Sequence, residues 1–392
     1  MCEHRRQERQ ERQGGRVAGW HRGSVVALLL LAGLIAAGPA AWIPARPDYA
    51  WSFPRDHYSH DGYRTEWWYF TGQLTPRGDR APRYGYQFTF FRVGLVPTLP
   101  DLHSEWDAKD LIMGHAALTD LTTGRHRFSE LLYRATPLLG QFGTPPDSLI
   151  AWSAAPVGTA GRWTLARTGP GFALAMRDDR QGFAVHLRTV PDKPLAFEGP
   201  NGYSRKGRSP DAASQYYSFT RMGARGTVVV GHDTLDVSGS TWMDHEFGSN
   251  QLDTTQVGWD WFSLQLDDGR DVMLYLLRGR PGTPNFSRGT VVDSAGRPRY
   301  LAADDWSAAP EGTWRSPVTG TRYPSGWRVR IPSAGLDVVV APLADAQEDV
   351  SHLIPHLFYW EGAVLVRMPD GRPVGHGYVE LTGYGKGRKP AI

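Results

Sequence analysis

The fold of this 392-residue chain is indicated by an aromatic stretch, Glu66-Trp67-Trp68-Tyr69-Phe70-Thr71-Gly72-Gln73-Leu74. A run rich in aromatic side chains that ends in Pro and Gly turn residues is typical of a β-strand. A stretch of the same pattern lies in the second half of the chain, Gly258-Trp259-Asp260-Trp261-Phe262-Ser263-Leu264-Gln265-Leu266. The two stretches predict that the chain contains two similar halves.

Further matches extend this repeat. The segment Tyr216–Phe219 matches Tyr359–Gly362, and Ser238-Gly239 matches Thr382-Gly383. A series of short antiparallel strands in the same order in both halves predicts an all-β protein of two barrels or sandwiches packed together. We place the boundary near residue 248, which gives an N-terminal domain over 46–248 and a C-terminal domain over 249–392.

The strand that follows the first aromatic stretch shows a two-residue period. Its odd and even positions separate into two faces, one with Tyr86, Phe88 and Phe90 and the other with Gln87, Thr89 and Phe91. Successive side chains of a strand point to opposite sides of the sheet. Both faces therefore carry rings, and we expect both to be covered.

The front of the chain differs from the rest. Residues 1–24 contain six Arg and three Glu, and residues 25–37 are apolar and are followed by small residues. This pattern predicts an export signal or an N-terminal membrane anchor over residues 25–41, within a leading segment of 1–45. We therefore expect a periplasmic or secreted protein. Its one cysteine, Cys2, precedes the apolar run, so the body has no disulfide.

The net charge of the chain argues against nucleic-acid binding. The whole chain carries a formal charge of +3, and the first 24 residues account for it, since six Arg and three Glu also sum to +3. The body is therefore near neutral. A surface that binds a phosphate backbone needs clustered Lys and Arg, which this body lacks.

The stretch Thr241–Gly248 concentrates ionisable and aromatic side chains. Read as a strand, it places Trp242, Asp244 and Glu246 on one face and the intervening residues, including His245, on the other. A carboxyl group beside an indole in a water-poor cavity has a raised pKa and can act as a general acid. We predict catalytic roles for Asp244, His245, Glu246 and Glu66.

Two other interpretations of this stretch stay open. In a hydrolase, Asp244 and His245 could activate water, but neighbours on one strand point apart, so a partner from elsewhere would be needed. Alternatively, Asp244 and Glu246 make buried hydrogen bonds that fix the crossover between the two halves.

Aromatic and polar residues near these acids are candidates for holding a substrate. Rings could surround an apolar ligand and stabilise a developing cation. His115 and Trp360 could equally be satisfied core residues, and Asn201 and Tyr203 could belong to a turn. The predicted substrate-binding residues are Trp68, Tyr86, His115, Asn201, Tyr203, Tyr217, Trp242, Trp259, Trp261, Tyr275 and Trp360.

We predict neither a metal nor a cofactor. His57, His60 and Asp61 lie close together, but no His-Glu-x-x-His or cysteine cluster supports a metal site. A Gly-x-Ser-x-Gly elbow, a phosphate-binding loop and a dinucleotide fingerprint are also missing from the sequence.

These motifs together resemble those of a known family. The segments Pro54–His57, Glu66–Tyr69, Tyr84–Arg92, Asn201–Lys206 and Trp242–Glu246 are similar to those of the carotenoid 1,2-hydratase and AttH-like group of secreted proteins. The resemblance covers residues 50–385 and implies two lipocalin-like β-barrel domains. It also implies a place beside an ABC-transporter permease. The AttH-like branch is the more similar one.

Two functions are compatible with this resemblance. The first is a cofactor-independent hydratase or hydrolase that acts by acid/base catalysis on an apolar, lipid-like or terpenoid-like substrate. The second is a carrier or chaperone of a hydrophobic ligand that works with an envelope ABC transporter. The predicted effect of Asp244→Asn separates them, because only a catalytic acid loses turnover.

Overall fold

The computed structural model of the protein describes residues 41–99, 104–250, 252–283 and 285–385. The predicted leading segment, residues 1–45, lies outside these residues except for positions 41–45. Within the described ranges, no helix is long and apolar enough to cross a membrane. The helices there are four 3-10 turns, Arg55–His57, Pro200–Gly202, Ala303–Asp305 and Pro332–Ala334.

The first sheet forms a nearly closed barrel with the strand order β4-β3-β2-β1-β13-β12-β9-β8-β7-β6-β5, and β10 and β11 pair with β12. Every pairing in it is antiparallel. Its strands are β1 (Thr65–Pro76), β2 (Tyr84–Gly94), β3 (Asp110–Asp120), β4 (Arg125–Arg134), β5 (Gly140–Phe142), β6 (Leu149–Ala154), β7 (Arg162–Thr168), β8 (Gly171–Asp178), β9 (Phe183–Pro191), β10 (Ala196–Phe197), β11 (Tyr203–Arg205), β12 (Ala213–Val230) and β13 (Asp233–Asn250).

The second sheet forms a half-barrel with the order β17-β16-β15-β14-β25-β24-β22-β21-β18, and β23 pairs with β24. A separate hairpin consists of β19 and β20. The strands are β14 (Gln256–Leu266), β15 (Asp271–Gly279), β16 (Phe286–Val292), β17 (Pro298–Leu301), β18 (Ser307–Pro310), β19 (Thr313–Arg315), β20 (Arg322–Pro324), β21 (Trp327–Ile331), β22 (Leu336–Pro342), β23 (Glu348–Val350), β24 (Phe358–Arg367) and β25 (Pro373–Thr382).

The two sheets repeat one strand order. In each, the aromatic strand (β1 or β14) lies between the strand that follows it and the last strand of its half (β13 or β25). The prediction of an all-β protein with two packed lipocalin-like barrels is therefore confirmed. The domain boundary near residue 248 stays a prediction.

One part of the predicted repeat is wrong. Gln73 pairs with Ser240 in the first sheet, and its repeat counterpart Gln265 pairs with His376 in the second. This register aligns Gly239 with Gly375 and not with Gly383. A Cβ atom on Gly239 would overlap the carbonyl oxygen of Gln73. A Cβ atom on Gly375 would overlap the carbonyl oxygen of Gln265 in the same way. The pairing of the strands therefore determines which residues of the two halves are equivalent. A match between short Gly-containing segments of the sequence does not.

Each sheet encloses a hydrophobic core, and a third cluster joins the two. Tyr86, Phe88 and Phe90 lie in the first core, while Gln87, Thr89 and Phe91 face the second sheet. The predicted two-residue period of β2 is thus confirmed. Burial on both faces explains why this strand carries rings at successive positions.

The sheets are in contact at one end of their interface. A Cβ atom on Gly85 would lie 2.9 Å from the Cβ atom of Ala363, so only glycine allows this approach. The Gln73 side-chain amide donates to the carbonyls of Val364 (3.0 Å) and Gly377 (3.3 Å). Towards the start of β1 the sheets separate and leave a cavity.

Candidate functional site

A cavity of about 320 Å³ lies between the outer face of the first barrel and the second sheet. Strands β1, β2, β3 and β13 form one wall, and β14, β15, β24 and β25 form the other. The surface is mainly aromatic and aliphatic, with a few buried ionisable groups. Such a lining is typical of a site for an apolar small molecule. Its ionisable residues are Glu66, Arg92, His115, Lys206, Asp244, Glu246, Glu361 and Glu380.

Asp244 is held in this wall by three hydrogen bonds. Ser218 Oγ and Trp242 Nε1 donate to its Oδ1, and the Tyr216 hydroxyl donates to its Oδ2, each at 2.6 Å. The side chain is almost fully buried. Burial raises the pKa of Asp244 to about 7, although the three donors favour the charged form. The group is therefore partly protonated at neutral pH and can supply a proton.

Glu246 lies two residues further along β13, on the same face, as predicted. Its carboxylate accepts hydrogen bonds from Lys206 Nζ (2.7 Å) and from Ser214 Oγ. The Lys206 ammonium also lies over the rings of Tyr216 (4.7 Å) and Tyr275 (4.5 Å). Glu246 is therefore paired with a buried Lys206 ammonium on this face.

The opposite wall carries two acids that the sequence analysis missed, Glu361 and Glu380. They are directly opposite each other on β24 and β25. The Tyr69 hydroxyl, from the first sheet, donates to Glu361. Burial and the neighbouring carboxyl raise the pKa of Glu361 well above its usual value, and burial raises the pKa of Glu380 to about 7.

The repeat contained a signal for these acids. Asp244 is opposite Tyr69 in the first sheet, and Glu380 is opposite Trp261 in the second. Since Tyr69 and Trp261 are repeat counterparts, Asp244 and Glu380 occupy equivalent positions. Once the strand pairing supplies the register, the repeat identifies Glu380 as the counterpart of Asp244.

His115 faces the same cavity from β3. Its Nδ1 is 2.7 Å from the Tyr359 hydroxyl, and its buried Nε2 has no hydrogen-bond partner. Burial lowers the pKa of His115 to about 3, so the ring is neutral. A neutral imidazole with a free nitrogen can bind a hydroxyl group of a ligand or a water molecule.

The raised pKa of Asp244 predicts a pH-dependent stability. Its carboxyl has a pKa near 3.8 when unfolded and about 7 when folded, so the folded state holds the proton more tightly. The stabilisation is fully present below pH 3.8 and is lost as pH rises through 7. Asp244→Asn carries no titrating proton. Its unfolding free energy relative to the native protein should rise by on the order of 1 kcal/mol per pH unit between these limits.

Urea unfolding at pH 5 and pH 8 measures this effect without a substrate. Glu246→Gln is the comparison variant, since it removes a neighbouring charge on the same face. A difference between Asp244→Asn and native protein that is constant from pH 5 to pH 8 would show that Asp244 is ionised throughout.

His245 and Glu66 belong to a second network at one end of the first barrel, and Glu66 also lines the cavity. Glu66 Oε1 is 2.8 Å from His245 Nε2 and 2.6 Å from His60 Nδ1. Arg92 Nε donates to Glu66 Oε2 at 2.9 Å. Burial opposes ionisation of Glu66, but these partners hold its pKa well below the usual value. The partner of His245 is thus Glu66 and not Asp244.

The same three residues could hold a metal ion. His60, Glu66 and His245 offer ligand atoms within 4.8 Å of one another, the one such group among the described residues. The distances of 2.6 and 2.8 Å are those of direct hydrogen bonds. The Arg92 guanidinium also donates to Glu66 and supplies a positive charge beside this carboxylate.

The predicted substrate-binding residues lie in several different parts of the structure. His115, Trp259, Trp261 and Tyr275 line the cavity, and Trp242 supports it by donating to Asp244. Trp68, Tyr86 and Tyr217 lie in the core of the first barrel, and Trp360 lies in the core of the second.

Asn201 and Tyr203 lie outside the cavity and make hydrogen bonds to backbone carbonyls. Asn201 Nδ2 donates to the carbonyls of Pro47 (3.1 Å) and Tyr49 (2.9 Å), which fixes the entering segment. The Tyr203 hydroxyl donates to the Pro210 carbonyl at 2.5 Å. Both residues therefore stabilise loops in this structure.

Solved structures share this architecture. An AttH protein from Nitrosomonas europaea is 32% identical to the chain, and the match covers 88% of this chain and 100% of that one with a TM-score of 0.76. Kievitone hydratase from Nectria haematococca is 13% identical over 88% of this chain and 98% of that one, with a TM-score of 0.60. The second likeness shows the fold alone. No curated protein matches the chain. The family model described as AttH-like matches residues 44–384, and the chain belongs to this family.

Proposed function

We propose that this protein is an exported hydratase that adds water to a carbon–carbon double bond of an apolar, lipid-like or terpenoid-like substrate. The single observation that carries the proposal is the pair of Asp244 and Glu380, two acids with raised pKa on facing walls of one apolar cavity. One can donate a proton while the other accepts one. No cofactor enters the reaction that we propose.

Asp244 starts the reaction as the general acid. Its proton forms a C–H bond with one alkene carbon through the π electron pair, and the other carbon becomes cationic. The oxygen of a water molecule then forms the C–O bond to that carbon. The water's surplus proton passes to the ionised Glu380. Proton exchange with solvent returns both carboxyls to their starting states.

The aromatic wall stabilises the cation between these steps. Trp259, Trp261 and Tyr275 line the second-sheet side, and Tyr69 lines the first. Faces of aromatic rings attract positive charge, most strongly where water is excluded. The fold is shared with a protein named as a hydratase, so this architecture is compatible with hydration.

Hydration fits the cavity better than ester hydrolysis by a side-chain nucleophile. Among the described residues, neither serine nor cysteine lines the cavity. Its one histidine, His115, has a pKa lowered to about 3 and is a weak base. A water-activating hydrolase would need a stronger base at this position.

Isotope labelling tests the proposed reaction. The compound that co-purifies with the full chain from its native envelope is identified by native mass spectrometry and is then incubated with the protein in H₂¹⁸O. A hydratase yields a product heavier by one labelled water molecule. Two fragments of which only one carries the label would show a hydrolase, and an unchanged compound that stays bound would show a carrier. Either of these results would overturn the proposal.

A further inference from the structure

The cavity lining extends to the end where β1 begins, β2 ends and β3 begins. Thr65, Val93 and Leu111, at these strand ends, belong to its lining. At the opposite end, the contact between Gly85 and Ala363 closes the gap between the sheets. A ligand therefore enters past the strand ends.

Large apolar side chains are exposed in the loop between β2 and β3 and in the loop between β23 and β24. We define the mouth rim as Leu95, Leu99, Trp106 and Leu353, which are 49%, 37%, 54% and 51% exposed. Single exposed apolar residues are ordinary, but a group of them around one apolar cavity marks an interaction surface.

Hydrogen bonds fix this rim beside the cavity. Leu95 N donates to the Lys109 carbonyl (2.9 Å), two residues before the lining residue Leu111. Leu353 N donates to Glu130 Oε1 (3.0 Å), and the next residue, Ile354, lines the cavity. The rim thus combines two loops, one from each half of the chain.

The described chain starts beside the same rim. The Trp42 ring packs on Gly94, the residue before Leu95, so closely that a Cβ atom on Gly94 would overlap it. Ile43 N donates to the Gly62 carbonyl at 2.9 Å, which holds the start in place. The apolar run predicted to enter the membrane ends at Ala37. Ala37 and Trp42 are five residue steps apart in the sequence, and a chain of that length can span at most roughly 18 Å.

We propose that the mouth rim rests on a lipid bilayer, with the cavity opening towards the lipid, so that an apolar ligand passes directly from the membrane into the cavity. Leu and Trp side chains are suited to this contact, since Trp favours the boundary between lipid and water. The nature of the ligand rests on the proposed function, but the docking itself does not. The bilayer is the occupant because the chain leads from the rim towards the predicted anchor.

Depth-dependent fluorescence quenching tests the docking on the full chain. Cys2→Ser removes the one native thiol, and single cysteines are then introduced as Leu95→Cys and Leu353→Cys and labelled with bimane. Val190→Cys is the matched control, because Val190 is also 49% exposed but lies on β9, away from the opening. The vesicles contain phosphatidylethanolamine, phosphatidylglycerol and a lipid with a nitroxide on its acyl chain.

We expect the nitroxide to quench bimane at positions 95 and 353 several-fold more than at position 190. Equal quenching at all three positions would overturn the proposal. So would shielding of positions 95 and 353 from aqueous iodide before vesicles are added, since the N-terminal segment or a second copy would then cover the rim.

The same labels in an Asp244→Asn background separate the two proposals. Docking should persist there even though the catalytic acid is missing. In protein that keeps Asp244, quenching at positions 95 and 353 together with an unchanged substrate in H₂¹⁸O would retain the docking and reject the hydratase. Product formation without preferential quenching would reject the docking alone.

Discussion

Asp244→Asn should lower turnover by at least about 100-fold, because a positioned general acid contributes roughly 10²–10⁴-fold to rate. The amide has no acidic proton to donate to the alkene. Its shape is the same, and its Oδ1 can still accept from Ser218 and Trp242, the two donors that Oδ1 has in the native protein. Tyr216 only has to rotate its hydroxyl to accept from the new NH₂ group. We therefore expect the fold and ligand binding to survive.

The measurement is the rate of labelled-water incorporation under saturating and limiting substrate. Loss of kcat with little change in KM is the expected pattern for an acid that acts only in the transition state. Asp260→Asn is the matched control. Asp260 is also a buried aspartate with a raised pKa, but it binds Arg278 and Tyr384 and is not part of the cavity lining. Equal turnover by native protein and Asp244→Asn would assign Asp244 to a structural role.

Arg92→Met should lower the free energy of unfolding by about 3–5 kcal/mol, the usual effect of removing one partner from a buried ion network. The fully buried guanidinium donates to Glu66 (2.9 Å) and Asp110 (2.8 Å). It also donates to the carbonyls of His60 and Tyr63, each at 2.7 Å. Methionine fills much of the volume but removes one donor from each of two carboxylates and two carbonyls.

Urea unfolding followed by tryptophan fluorescence measures this loss. Arg134→Met is the control, because Arg134 is exposed and makes one long hydrogen bond, 3.4 Å to the Trp106 carbonyl. We expect the control to change stability by less than about 0.5 kcal/mol. A loss below about 1 kcal/mol for Arg92→Met would mean that water reaches the network and replaces the guanidinium.

The faces of single strands were predictable because they depend on local geometry. Asp244 and Glu246 point into the cavity, and Met243 and His245 point into the first barrel, as the two-residue period requires. Pairing between strands was less predictable. Glu361 and Glu380 were missed because their positions become meaningful only when β25 is placed in register with β14.

The aromatic residues that were predicted to bind substrate also show that distant contacts are hard to predict from sequence. Trp259 and Trp261 line the cavity, whereas Trp68 and Trp360 fill the two barrel cores. All four lie in strands of similar composition. Composition predicts that an aromatic ring will be buried. Only the packing of one sheet on the other determines whether the ring lines the cavity or fills a barrel core.

The order of residues along the chain was enough to predict the all-β class, the two similar halves and the alternation of faces within each strand. These features follow from local periodicity and repetition, which need no knowledge of distant contacts. The tertiary structure alone decided that the cavity lies between the sheets, that Asp244 faces Glu380 across it, and that His245 pairs with Glu66. These features join residues far apart in the chain, and they depend on register and on sheet packing, which a single sequence does not encode locally.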